Sequence, residues 1–238
     1  MKQFILLVQK DLRLTKWVTW IAGLILFSAG VTGYLFDNVS IVIGVGFVTF
    51  LYFPPLYMVM NFSKEWKYRL LLQMPQSGKI LLAAKLVAEM ISFLTLAFLA
   101  LIGLLIGSHL PNADFSITTL SELFLILKFS PFVLIYGING GLLGGITNLS
   151  TRFAQSYFKK GYNWFGILST FITVYFMTGF TNTDVYTKLF HAEFIPSFVF
   201  QEMGNKQVIY SGDFLYSGMI ICILFFLSSW LLDKKLNV

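Results

Sequence analysis

Few residues in this chain have the type and spacing to do chemistry. His109 and His191 each lack a second metal ligand at helical spacing, so no HExxH-type zinc site can be drawn, and both are expected at the outer surface. Ser77-Gly78-Lys79 looks like the end of a phosphate loop, but Gln73 stands where the first glycine is needed and Ile80 where Ser or Thr is needed. Cys222 is the single cysteine and lies in an apolar run, which excludes an intramolecular disulfide and a cysteine-based metal site. Lys85 and Glu89 are four apart on one helix and can pair, though with the acid C-terminal to the base, the weaker order. If their helix projects beyond the bilayer, neither is deeply buried. Lys128 is expected to snorkel toward the outer headgroups. With no second carboxylate deep in another span, no proton relay is expected. The chain is therefore expected not to be an enzyme by itself and to bind no metal or cofactor of its own.

Glycine spacing is more informative. Gly137, Gly141 and Gly145 are spaced by four, as are Gly140 and Gly144, and Gly103 and Gly107 repeat the pattern on another span. Small residues at this spacing let helix backbones approach closely in lipid, where no hydrophobic drive brings them together. Packing within the chain and a subunit interface both use such a stripe.

The elements that must position these residues follow from composition. Of 238 residues 57% are hydrophobic and 12% charged, about half the charged fraction of a soluble domain. Apolar stretches of about 20 residues recur, each long enough at 1.5 Å per residue to cross the roughly 30 Å hydrocarbon layer. The expected fold is all-α, a single transmembrane domain of six spans: about 17–36, 39–62, 80–110, 122–146, 164–180 and 214–232. Residues 1–16 place Phe4, Ile5, Val8 and Leu12 opposite Lys2, Gln9, Arg13 and Lys16, which reads as an interfacial amphipathic helix. The apolar run after it is longer than a signal peptide's, so it reads as an uncleaved first span. Pro54 and Pro55 should bend the second span. Residues 147–163 read as a basic loop and 181–213 as the longest external connection.

A net charge of +6 raises the question of nucleic acid, but the basic residues sit in short segments between spans, where topology accounts for them better. Lys and Arg divide 14 to 2 between the two sides, which puts both termini in the cytoplasm. The segment 63–79 is the most distinctive. It mixes Lys64, Glu65, Trp66, Lys67, Tyr68 and Arg69 with the apolar run Leu70, Leu71 and Leu72 and breaks at Pro75-Gln76-Ser77-Gly78. An amphipathic helix and a turn fit it. An anchor on anionic lipid needs the charges alone; a docking element uses the charges and the leucines.

The opening Lys10-Asp11-Leu12-Arg13 and the stretch from Phe62 to Val87 resemble the permease subunit of a bacterial type 2 ABC exporter. The likeness rests on Glu65 after span 2, the leucine-rich helix, the turn Met74-Pro75-Gln76-Ser77 and Lys85 at the head of span 3. The apolar stretch from Phe194 to Phe198 also fits. The resemblance implies a plasma-membrane permease, paired with a second permease, that carries a peptide or lipid-like cargo outward. It implies that a separate cytoplasmic ATPase binds ATP and Mg, with 63–79 as the coupling helix in its groove. It also implies that 1–16 is a connecting helix and that 181–213 forms re-entrant helices. A secondary transporter, which calls for an ionisable network at mid-depth or an internal repeat, and a non-transporting immunity or sensor protein for a membrane-active peptide are the alternatives.

Overall fold

The apolar runs fold into helices, several of which continue into the polar segments beside them. The computed structural model describes residues 2–35, 39–67, 76–108, 120–158, 160–192, 197–202 and 205–236. In chain order these form α1 (Lys2–Leu35), α2 (Val39–Lys67), α3 (Gly78–Ser108), α4 (Leu120–Tyr157), α5 (Tyr162–Thr181), the short α6 (Asp184–Phe190), the strands β1 (Ser197–Glu202) and β2 (Asn205–Tyr210), and α7 (Ser211–Leu236). Among the described residues, α1, α3, α5 and α7 are long and apolar enough to cross a membrane. Their outer faces are oily: Trp17, Leu24, Phe98, Phe171 and Phe226 are all exposed, a surface suited to lipid rather than water.

Three expectations are corrected. Residues 1–16 are not a separate interfacial helix, since residues 2–35 run as one helix of 34 residues. The cause is packing: Leu7 and Val8 join a core with Met58, Phe62, Leu81 and Leu82, so the inner face of α1 looks into protein. Ile5, expected on that face, is 50% exposed, while Asp11 and Thr15 are buried on it. The expected basic loop 147–163 is mostly helix. α4 continues to Tyr157, with Thr147 Oγ1 donating back to the Leu143 carbonyl at 2.8 Å and Thr151 Oγ1 to the Thr147 carbonyl at 2.7 Å, so these two hydroxyls are used within the helix. The chain turns at Gly161, whose φ of 79° lies in the left-handed region that glycine tolerates.

The third correction concerns 181–213, expected as an external connection for which the resemblance implied re-entrant helices. It holds α6 and one antiparallel hairpin, in which Phe198 pairs with Ile209 and Val199 with Val208. Aromatic and β-branched residues crowd both six-residue strands, which favours extended chain over helix. Among the described residues the protein is thus helical apart from a two-stranded hairpin. Phe194, Ile195 and Pro196 lie outside the described residues.

Cross-links between helix ends define the two poles of the bundle. Gln76 Nε2 donates to Gln3 Oε1 at 3.0 Å, and Lys64 Nζ donates to the Leu14 carbonyl at 2.6 Å. The Gly78 amide, at the start of α3, donates to Asp233 Oδ1 near the end of α7 at 2.6 Å, so a carboxylate caps the positive end of a helix. Asn148 Nδ2 of α4 donates to Ser63 Oγ of α2 at 3.0 Å. The start of α1, the end of α2, the start of α3, the last part of α4 and the end of α7 therefore share one pole. Tyr216 Oη donates to the Met177 carbonyl at 2.9 Å, joining the end of α5 to the start of α7 at the other pole.

Within the bundle α1 packs chiefly on α3, and α4 on α2, α5 and α7. The glycine stripes lie in these contacts. A Cβ on Gly144 would fall 2.4 Å from the Pro55 carbonyl oxygen, and one on Gly140 would fall 3.3 Å from Pro55 Cδ. Gly137 faces the Phe93 ring and Gly145 the Phe62 ring, each at ordinary contact. A Cβ on Gly103 of α3 would fall 3.1 Å from the Phe27 carbonyl oxygen of α1, and one on Gly30 of α1 would fall 3.0 Å from the Gly103 carbonyl carbon. Each of these glycines serves packing within the chain; the surroundings of Gly107 lie outside the described residues. Ser77-Gly78-Lys79, the apparent phosphate-loop ending, likewise serves packing, because a Cβ on Gly78 would fall 2.7 Å from the Ser229 carbonyl oxygen.

Gly144→Ala should lower thermal stability in detergent, as overpacking against backbone costs about 1–3 kcal/mol. Gly218→Ala, where a Cβ meets nothing within 4 Å, should be neutral or slightly stabilising, since Ala is the better helix former. Equal melting temperatures for the two variants would refute the α2–α4 contact.

Candidate functional site: a buried ionic cluster

Helical spacing puts charge on the buried faces of three helices. On α1 the inner face is Leu7, Val8, Asp11 and Thr15; on α2 it is Met58, Asn61, Phe62 and Glu65; on α3 it is Leu82, Lys85, Ala88 and Glu89. Steps of three and four keep each set in one stripe, so the ionisable residues enter the core with the leucines beside them. Glu65 has no exposed surface, Lys85 and Asp11 are each 1% exposed, and Lys10 reaches in from the edge.

The four charges meet. The Glu65 carboxylate contacts both Lys10 Nζ and Lys85 Nζ, one lysine to each oxygen. Asp11 Oδ1 lies 3.4 Å from Lys10 Nζ and 3.6 Å from Lys85 Nζ. Lys85 also donates to Asn61 Oδ1 at 2.6 Å and sits 4.8 Å from the centre of the Phe62 ring, where the face of the ring attracts a cation. Two positive and two negative charges make the cluster neutral as a whole. Neutrality matters in a dry site, where the attraction within pairs must offset several kcal/mol of lost hydration per ion.

This geometry revises the reading of the charged residues. Lys85 pairs with Glu65 on another helix and not with Glu89 on its own, and both Lys85 and Glu89 are buried, contrary to the expectation of shallow placement. Glu65 is not displayed for a partner; it belongs to the end of α2 and is enclosed. Asp11, named in the sequence only within the opening Lys10–Arg13 motif and given no role of its own, proves to be buried in the cluster. Lys64 holds the Leu14 carbonyl. Trp66 and Lys67 continue α2, with their side chains outside the described residues. Tyr68, Arg69, Leu70, Leu71, Leu72 and Pro75 are themselves outside the described residues, and so is His109. Lys128 lies on α4, with its side chain undescribed.

At the opposite pole His191 Nε2 lies 2.8 Å from Asp213 Oδ1, which also accepts from Tyr186 Oη at 2.5 Å. The His191 ring stacks on Tyr210 with centroids 4.0 Å apart, and Tyr186 meets Tyr216 edge-on. Burial, and then the hydrogen bond to the Asp213 carboxylate, hold the Tyr186 phenol above its ordinary range. His191 is thus a clasp between α6, the hairpin and α7, with no group of three metal-ligating side chains near it or elsewhere among the described residues.

The chain matches no family model, no curated protein and no solved structure.

Glu65→Gln and Lys85→Gln should each destabilise the protein by about 3–5 kcal/mol, because each leaves an uncompensated buried charge. The double replacement restores neutrality and should recover much of that loss. Losses that simply add in thermal unfolding would mean that the two groups do not act as a pair.

Proposed function

We propose that this chain is the membrane-spanning subunit of an ATP-driven exporter, energised by a separate cytoplasmic ATPase docked on the segment after α2. One observation carries the reading. The residues on which the likeness to type 2 ABC permeases rests, Lys10 and Asp11 of the opening motif, Glu65 and Lys85, are far apart in sequence and make up the buried cluster.

The cluster supports a mechanical role. It ties the end of α2 and the first turns of α3, the helices on either side of 68–75 in the chain, to α1. A push on that stretch is transmitted to three helices together. In this reading Leu70, Leu71 and Leu72 meet the ATPase, and Glu65 anchors the element from behind. ATP and Mg belong to the partner. Six spans with both termini inside suit the helix ends gathered at one pole, and the 14-to-2 division of Lys and Arg assigns that pole to the cytoplasm. A second permease, identical or different, completes the path, and the oily spans suit a peptide or lipid-like cargo.

Replacing Leu70, Leu71 and Leu72 together by Asp should abolish co-purification with the proposed partner ATPase while leaving the thermal stability of the chain unchanged. An undiminished ATPase yield would count against the docking role. Single cysteines at 70–72 should react with an impermeant maleimide only after cells are opened, and labelling in intact cells would reverse the topology.

A further inference from the structure

Glu89 is the buried ion that the cluster does not use. It lies three turns into α3, is 2% exposed, and neither carboxyl oxygen has a hydrogen-bond partner among the described residues. The carboxyl group rests on α4 where Gly141 leaves room: a Cβ there would fall 2.1 and 2.2 Å from its two oxygens. Beside it is a cavity of about 10 Å³, lined by Glu89, Met90, Phe93, Leu134, Gly137 and Ile138. That is close to the smallest space that holds one water.

The ionisable groups around it are otherwise committed. On its own helix Lys85 is one turn away, bonded to Glu65 and Asn61. On α2 the titratable group on the buried face nearby is the Tyr57 phenol, which carries no positive charge. Asp11 of α1 faces the two lysines, and Asp233 of α7 caps Gly78 far down α3. The α4 residues against it, Gly137, Ile138 and Gly141, carry no charge. No cation among the described residues is left to balance a carboxylate here.

We propose that Glu89 is a proton-binding site within the membrane layer, loaded when α3 and α4 are closed on each other and unloaded when they part. The uncharged acid suits the closed site. A bare carboxylate does not, since isolated charge in a dry interior costs far more than a neutral polar group. Release of the proton, carboxylic acid to carboxylate plus H⁺, requires water to reach the oxygens, and the glycine face of α4 is the wall that must move to admit it. The inference concerns this chain alone and stands whether or not an ATPase docks on 68–75.

The test uses the purified full-length chain in lipid vesicles and dicyclohexylcarbodiimide, a lipid-soluble reagent for protonated carboxyls. The acid adds across a C=N bond: its oxygen bonds to the central carbon, its proton goes to nitrogen, and the acyl group then migrates to nitrogen as a stable acylurea. Peptide mass spectrometry should find the adduct on Glu89, absent in Glu89→Gln. Labelling should fall about tenfold per pH unit once the carboxyl ionises. Glu89→Gln, a neutral isostere of the acid, should keep the parent's thermal stability, which separates loss of the site from loss of the fold. No adduct at any pH, equal labelling by a water-soluble carbodiimide, or labelling independent of pH would each overturn the proposal. Protection by sodium but not by choline at equal ionic strength would also overturn it, assigning the site to a metal cation.

Discussion

Four charges sealed among apolar side chains, summing to zero, set the architecture of the cytoplasmic-facing pole as proposed here. Lys10, Asp11, Glu65 and Lys85 come from three helices, and each carboxylate lies against both lysines, so the pairs are joined into one network. α1 contributes an acid and a base, yet its lysine needs Glu65, and Glu65 in turn needs Lys85. A buried ion pair is a weak source of stability but a strong source of register, because a shift of one residue on any helix strands a charge. In lipid the constraint tightens further. Apolar helices slide past one another at little cost when tails replace side chains, so polar contacts and close glycine packing decide how they meet.

The same reasoning accounts for the division of labour along the bundle. Near the basic pole, charge and hydrogen bonds fix the helices: Lys64 on the Leu14 carbonyl, Asn148 on Ser63, Asp233 on Gly78. Deeper in, glycine does so, with Gly144 against Pro55 and Gly103 against Phe27 and Gly30. Pro54 and Pro55 lack the amides that would bond the carbonyls of Phe50 and Leu51, and α4 presents glycines to this stretch of α2. At the far pole the aromatic clasp of Tyr186, His191, Tyr210 and Tyr216 joins the hairpin to α7. Three kinds of contact thus hold three levels of one bundle.

Much of this was legible in the sequence. Hydropathy located the long helices to within a few residues at most ends, and the glycine spacing marked close contacts before any partner was known. The segment around Glu65 stood out for its composition. What hydropathy misjudged were places where polar residues are consumed locally. Thr147 and Thr151 bond their own helix in a segment that reads as loop and stays helical, and α1 ignores the change from mixed to apolar composition at residue 17 because its inner face packs on protein throughout. The hairpin escaped notice because a membrane context makes helix the default for any apolar stretch, whereas short runs of Val, Ile and aromatic residues outside the spans favour strand.

The ion cluster was the harder case, and the reason is phase. Charged residues on an amphipathic helix are read as solvent-facing, which is sound when they fall opposite the apolar stripe. Asp11 follows Leu7 by four, Glu65 follows Phe62 by three and Met58 by seven, and Lys85 and Glu89 follow Leu81 by four and eight, so each lies on the stripe and not across from it. Charge in phase with leucine on a long helix signals burial, and two such helices of opposite charge signal that the residues meet. The rule also explains why Glu89 stands apart. It obeys the phase and is buried, but the helix it faces offers glycine where a lysine would be needed, so burial and pairing, which coincide for Glu65, separate for Glu89. A bundle that needed only rigidity would have paired both acids or neither.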